Sequence, residues 1–192
     1  MARTKEFDRE QALDKAMHLF WRCGYEATSL DGLLQAMGIA RQSLYDTFGD
    51  KHALFLAALE RYMGASDGGM SSELGSARSA KRAIRDIFMA IVSESTAEKK
   101  RGCFAVNSAM ELAPHDGDVT RLIAIRQRSV EEVFFRALER AREHGEISPK
   151  KDTRALARFL LAALQGLRVS AKADPHSPAL ADIAEVALQT LG

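Results

Sequence analysis

Cysteine is scarce in this chain, since only Cys23 and Cys103 occur among its 192 residues. Neither belongs to a Cys-x-x-Cys pair or to a Cys/His ligand spacing, which excludes a disulfide framework and the common zinc sites. We therefore predict no metal site and no cofactor. Cys23, near the end of a predicted helix, is expected to lie in the core.

Long apolar runs are also missing. The most apolar stretch, residues 155–167, is interrupted by Arg158 and Gln165 and is shorter than the roughly 20 residues that span a bilayer. The basic start of the chain, residues 1–5, is followed by charged residues instead of the apolar core of an export signal. These patterns predict a soluble, cytoplasmic protein that does not enter a membrane.

An excess of positive charge is missing as well. The net charge is +1, and the first 62 residues hold 8 Lys/Arg against 9 Asp/Glu. Counterion release by many Lys and Arg residues usually supplies much of the affinity of a protein for nucleic acid. Any contact with nucleic acid must therefore come from individually placed residues.

What the sequence does contain is helical periodicity with almost no strand-like alternation, which predicts an all-α fold. Asp8 is suited to cap a first helix that ends at Gly24. A second helix opens at Thr28 or Ser29 and stops at Gly38. The helices predicted after it are a short one over residues 41–47, one capped by Asp50, a long one over residues 118–144, and two apolar ones that begin near Asp152 and Pro178.

Residues 63–79 are rich in Gly and Ser, which predicts a loose connection or a frayed helix end. We place a domain boundary there. Residues 1–62 are expected to form a three-helix unit of the helix-turn-helix type, and residues 63–192 a larger helical bundle.

Residues 29–48 have the pattern of a helix, a glycine turn and a second short helix. This arrangement lets the second helix enter the major groove of DNA while the first crosses the backbone. Arg41 and Gln42 suit base reading, because a guanidinium donates twice to guanine and a carboxamide pairs bidentately with adenine. Further candidates for bases or phosphates are Ser43, Tyr45 and Lys51, the last of them beside a helix N-terminus.

The same segment resembles the DNA-binding domain of the TetR family of transcriptional regulators over roughly residues 6–62. The residues that carry the likeness are Gly24, Tyr25, Glu26, Ala27, Thr28, Ser29, Leu30, Gly38, Ile39, Ser43, Leu44, Tyr45, Phe48 and Lys51. The resemblance implies a homodimeric repressor that binds a near-palindromic operator and is released when a small-molecule effector binds the larger domain. The DNA contacts it implies are Thr28, Ser29, Arg41, Gln42, Ser43, Tyr45, Thr47 and Lys51.

Three positions depart from the family pattern. Ala40 stands where a serine often caps the recognition helix, Asp46 where an aromatic residue is common, and Thr47 where a histidine is frequent. The carboxylate of Asp46 repels phosphate. One alternative is that it accepts from a cytosine amino group, but we favour a solvated acid beside the interface.

The larger domain is expected to hold the effector. The predicted lining residues are Phe88, Cys103, Phe104, Asn107, Met110 and Phe134. Cys103 follows the basic residues 99–101 and precedes a helix, features that make a thiol reactive, so one interpretation is a redox or electrophile sensor. The other, which we favour, is a small buried residue that packs the start of a helix.

The two apolar C-terminal helices predict a dimer interface, since their apolar faces exceed what a small domain needs to cover. Two such helices from each protomer form a four-helix bundle. The predicted interface residues are Leu156, Leu160, Leu164, Leu167, Leu180, Ile183 and Leu188.

Two other functions remain as alternatives. An enzyme using His115 and Asp116 as an acid/base pair is disfavoured, because the sequence has no nucleophile elbow, phosphate-binding glycine loop or HExxH motif. A helical dimeric adaptor that binds a protein through residues 41–45 has the same periodicity as a regulator. Salt-dependent binding to duplex DNA separates the two.

Overall fold

A computed structural model describes residues 7–192, and the basic residues 1–5 of the sequence lie outside this range. The described residues form α-helices joined by short turns, as predicted. The helices are α1 (Arg9–Cys23), α2 (Leu30–Met37), α3 (Arg41–Phe48), α4 (Lys51–Ser76), α5 (Ala80–Ser93), α6 (Thr96–Arg101), α7 (Phe104–Leu112), α8 (Gly117–Glu143), α9 (Thr153–Ala173) and α10 (Ala179–Gln189). No helix within residues 7–192 is both long and apolar enough to cross a membrane.

The first helices begin where side chains can accept hydrogen bonds from free backbone N–H groups. Asp8 accepts from Glu10 and Gln11 at the start of α1, and Asp50 accepts from Ala53 at the start of α4. Each such cap stabilises a helix by about 1 kcal/mol. The predicted helix starts at Asp8 and Asp50 are confirmed.

The expectation of a loose connection over residues 63–79 is wrong, because α4 continues as one helix to Ser76. Met63 and Leu74 are buried in the two halves of this extension, and α4 packs against both α1 and α8. Glycine lowers helix propensity by about 1 kcal/mol per residue, but tertiary packing of a buried face outweighs that local cost. A division at residue 62 therefore falls inside a helix.

Two apolar cores hold the described residues together. One joins α1–α4 to α7 and to the start of α8, and the other joins the end of α4 to α5, α8, α9 and α10. In the first core Phe55 makes edge contacts with Phe20, Tyr25 and Phe104, at centroid distances of 5.1, 5.0 and 5.6 Å. The N-terminal helices thus share a core with α7 instead of packing only among themselves.

Candidate nucleic-acid interface

The turn between α2 and α3 has the geometry that a helix-turn-helix needs. Gly38 has φ 71°, a left-handed conformation, and its N–H donates to the Leu34 carbonyl at 2.9 Å. Leu33 and Leu44 are fully buried, so they fix α2 and α3 against the rest of the domain. This leaves the opposite side of α3 in solvent.

The exposed side of α3 carries most of the residues predicted to read bases. Arg41, Gln42 and Tyr45 are exposed, and Ser43 is half-buried. Ala40 gives α3 no side-chain cap, as its departure from the family pattern predicts. The backbone N–H groups at the start of this helix therefore have no side-chain cap, and a phosphate could accept from them.

Three other predicted contacts occupy different environments. Thr28 is only 3% exposed and its hydroxyl donates to the Gly24 carbonyl at 2.5 Å, so we remove it from the DNA-contacting set. Ser29 is exposed but its hydroxyl accepts the Gly32 N–H as the cap of α2. The Thr47 hydroxyl is buried without a hydrogen-bond partner among the described residues, which keeps it away from the solvent-facing side.

Lys51 lies at the first position of α4, beside the helix-turn-helix. Its ammonium group is 4.3 Å from the centre of the Tyr25 ring, a cation–π contact. The side chain is half-buried. The Tyr25 ring thus holds the Lys51 ammonium group near the N-terminus of α4. A phosphate bound at that N-terminus could contact it.

The helix-turn-helix is attached to the rest of the protein by polar contacts at α7. The two carboxylate oxygens of Glu111 accept the backbone N–H groups of Tyr25 and Glu26, at 3.1 and 2.9 Å. A Cβ at Gly24, where φ is +84°, would lie 2.8 Å from the same carboxylate. The turn between α1 and α2 and the carboxylate of α7 thus fit closely, and only glycine leaves room for this approach.

We expect Glu111→Ala to speed hydrogen exchange at the Tyr25 and Glu26 amides. Each amide loses an acceptor worth about 1.5 kcal/mol, which corresponds to roughly tenfold faster exchange. Glu111→Gln keeps one acceptor oxygen and should leave one of the amides protected. Amide-resolved exchange measures both, with Glu60→Ala, at an exposed site on α4, as the control. Unchanged exchange in both Glu111 variants would show that the carboxylate does not hold this turn.

The pair His115 and Asp116 does not form an acid/base dyad in this structure. His115 is exposed, while Asp116 contacts His52 at 2.8 Å and accepts the N–H groups of Asp118 and Val119 as the cap of α8. The Val119 N–H, together with His52, lowers the pKa of Asp116. Asp116 therefore has a structural role at the start of α8 and links it to α4.

Among residues 7–192, His52, Asp116 and Asp118 have ligand atoms within 4.8 Å of one another, a spacing at which three such groups could hold a metal ion. Asp116 is already committed to its cap, and Asp118 is exposed and contacts Arg121. Helix capping and an ion pair thus explain why these two carboxylates lie here.

Three cavities adjoin α7. The first, about 450 Å³, lies between the end of α1, α7 and α9, and four of the predicted effector residues line it: Cys103, Phe104, Asn107 and Met110. The second, about 340 Å³, lies between α7, α8 and α9, and Met110 lines it as well. The third, about 80 Å³, lies inside the bundle formed by α4, α5, α7, α8 and α9. Phe88 and Phe134 are fully buried in the C-terminal core and line none of the three, because their rings fill the space between helices.

The inner cavity combines apolar walls with polar groups. The Tyr62 hydroxyl donates to Cys103 Sγ at 3.5 Å, and burial, with Cys103 beside it, raises the pKa of Tyr62. Arg126 lies 3.2 Å from Asp67, but the Arg126 Nε–H is not aligned as a hydrogen bond to it. Cys103 is buried, as expected of a residue that packs a helix start, whereas Cys23 is exposed and the expectation that it belongs to the core is wrong.

The predicted dimer residues lie largely inside the protomer. Five of them are 9% exposed or less and pack α9 and α10 onto their own core: Leu160, Leu164, Leu167, Leu180 and Leu188. Side chains buried in this way offer no surface to a second protomer, whereas Leu156 and Ile183 are half-buried and remain available.

The opposite side of α9 is apolar and exposed over its whole length. The residues that share this face are Ala155, Phe159, Ala162, Gly166, Val169 and Ala173. Small residues at this spacing allow another helix to approach closely, and α10 also carries an exposed apolar residue, Val186. A dimer formed by α9 and α10 would therefore use this face. It could not be predicted from the sequence, because both faces of α9 are apolar and the inner one carries the larger leucines.

Fold and interface together define a helix-turn-helix regulator with a helical C-terminal domain. The model of the bacterial regulatory proteins of the tetR family matches residues 12–58, and that of the tetracyclin repressor-like C-terminal domain matches residues 80–186. The chain belongs to the TetR family. It is a DNA-binding transcription regulator of the helix-turn-helix type.

Several known proteins are similar to the chain over its length. The uncharacterized HTH-type transcriptional regulator YezE of Bacillus subtilis (strain 168) is 39% identical, with 100% of both chains covered. The HTH-type transcriptional repressor ComR of Escherichia coli (strain K12) is 37% identical over 97% of this chain and 90% of its own. Among solved structures, a cysteine variant of the TetR family transcriptional regulator CifR, complexed with 26 bp double-strand operator DNA, has 31% identity and a TM-score of 0.85, with 100% of both chains covered.

Proposed function

We propose that the protein is a repressor that binds a near-palindromic operator as a homodimer, with α3 of each protomer in the major groove. The observation that carries this proposal is the exposed face of α3, where Arg41, Gln42 and Tyr45 project from a helix held by Leu33 and Leu44. The repressor and the operator-bound regulator among the similar proteins support it. Because its target is operator DNA, we also propose that the protein acts in the cytoplasm.

Release by a small molecule forms the second part of the proposal. The helix that supports it is α7, because it borders all three cavities and also holds the turn between α1 and α2 through Glu111. A ligand that displaces α7 would shift the helix-turn-helix and change the distance between the two recognition helices. Cys103 needs no chemical role in this scheme, and a catalytic role for His115 has no support in its exposed position.

The test of DNA reading compares Arg41→Ala with Lys51→Ala. Loss of a base-reading guanidinium should cost about 1–3 kcal/mol on the preferred operator and relax the preference at one base position per half-site. Loss of a phosphate contact should weaken all sequences alike and reduce the slope of log affinity against log salt by about 0.9 per half-site.

Both effects are measured by selecting an operator from a random duplex pool and titrating it, labelled, with each variant at several salt concentrations. Lys81→Ala, on α5 and outside the proposed interface, serves as the control. If neither Arg41 nor Lys51 affects affinity or sequence preference, α3 does not read DNA and an adaptor function would replace this one.

A further inference from the structure

The side chains proposed to read bases are already bound to carboxylates on the same surface. Arg41 Nη2 donates to Asp31 Oδ1 at 2.6 Å, and Gln42 Nε2 donates to Asp46 Oδ1 at 2.8 Å. Asp31 belongs to α2, whereas Asp46 follows Gln42 by one turn of α3. All four residues are exposed, so these contacts add little to folding stability.

The bond to Asp31 limits the orientations of Arg41 without using up its donors. A guanidinium has five N–H groups in one plane, and those not bound to Asp31 remain free for the O6 and N7 acceptors of guanine. An unpaired arginine on a helix surface must lose several rotamers when it binds a base. Asp31 removes part of that cost before DNA arrives.

The bond to Asp46 fixes which way the Gln42 amide faces. A carboxylate oxygen repels the amide oxygen and accepts only from the nitrogen, so Nε2 is turned to Asp46 and Oε1 is turned away. The second N–H of Nε2 and the free Oε1 then form a donor and an acceptor side by side. This pair matches the N7 and N6 groups of adenine in the major groove.

Both carboxylates also carry negative charge on the side of the protein that meets DNA. Their repulsion of phosphate is independent of base sequence, so it weakens binding to every duplex. Only a sequence that uses the positioned Arg41 and Gln42 recovers the loss. Specificity is a difference of affinities, so this uniform repulsion cancels between two duplexes and only lowers the affinity for both. The ratio of operator to non-operator affinity therefore depends on how well Arg41 and Gln42 are positioned.

We propose that Asp31 and Asp46 are specificity-determining residues, which hold Arg41 and Gln42 in base-reading orientation and suppress binding to other DNA. This proposal rests on the proposed function. Asp31 and Asp46 act through their partners and are positioning residues. Asp31 also lies in the first turn of α2, where a carboxylate favours the helix dipole, so the thermal stability of each variant is measured alongside.

The experiment uses the full chain with Asp31→Asn and Asp46→Asn, and with Asp86→Asn on α5 as the matched control. Each protein is titrated against the selected operator and against a shuffled duplex of the same length and composition. We expect both substitutions to tighten binding to the shuffled duplex and to lower the ratio of operator to shuffled affinity by roughly tenfold, which is part of the discrimination that a bidentate base contact supplies. The control should leave the ratio unchanged.

A double-mutant cycle separates positioning from charge. In an Arg41→Ala background, Asp31→Asn should still tighten binding to the shuffled duplex but no longer change base preference, because its partner is gone. Operator selection should likewise relax at different base positions for Asp31→Asn and Asp46→Asn.

An unchanged ratio in both single variants, with a wild type that discriminates well, would overturn this proposal and leave the proposed function standing. A wild type that does not distinguish the selected operator from the shuffled duplex would overturn both.

Discussion

Phe159→Asp combined with Val169→Asp is expected to convert the protein to monomers and to lower operator affinity by about 10²–10⁴-fold. Both side chains are more than two-fifths exposed on the outer face of α9, so the charges can remain in water in a monomer but not against a partner helix. Binding of the second half-site is intramolecular only while the protomers are joined, and this linkage accounts for the size of the loss.

Sedimentation velocity at micromolar concentration measures the change, and circular dichroism shows whether the monomer keeps its helices. Ala90→Asp, on the exposed side of α5, is the matched control and should stay dimeric. Leu164→Asp should instead unfold the protomer, since Leu164 is buried in its own core. A double aspartate variant that still sediments as a dimer would place the interface elsewhere.

Phe55→Ala is expected to destabilise the whole chain by about 3–5 kcal/mol. Phe55 is fully buried where α1, α4 and α7 meet, and its removal leaves a cavity bordered by Phe20 and Phe104. For a chain of this size the melting temperature should fall by about 6–20 °C. Because the N-terminal helices share this core with α7, a single unfolding transition should shift.

Calorimetry at fixed protein concentration measures the shift, since dimerisation makes the melting temperature depend on concentration. Tyr45→Ala, which truncates an exposed aromatic side chain of α3, is the control and should melt like the wild type. Two separate transitions, with only the first one shifted, would show that residues 1–62 unfold as an independent domain and would contradict the shared core.

The helix starts could be predicted from sequence because their signals are local. Asp8, Ser29 and Asp50 each accept a backbone N–H within three residues, so the pattern contains the whole interaction. The same logic would have found α6, where Ser95 and Glu98 form a capping box, although its short length left no periodicity to notice. Local signals failed for α4, whose extension depends on the burial of Met63 and Leu74 against distant helices.

A site residue could be predicted from the sequence only where the sequence also shows which face of its helix is exposed. On α3 the buried Leu44 and the exposed Arg41 and Gln42 differ in chemistry, so the two faces separate in the sequence. On α9 both faces are apolar, and the sequence cannot say which of Leu160 and Phe159 faces the core. The pairing of Arg41 with Asp31 could not be predicted, because it depends on how α2 and α3 pack.

The continuity of α4 mechanically couples the C-terminal bundle to the helix-turn-helix. Its 26 residues form a rod about 39 Å long, at about 1.5 Å per residue. A tilt of only about 5° about the Ser76 end displaces the Lys51 end by about 3.4 Å, which equals the rise of one base pair in B-DNA. Opposite tilts in two protomers would change the separation of their recognition helices by about two base pairs. An operator whose half-site spacing matches one separation would then not match the other.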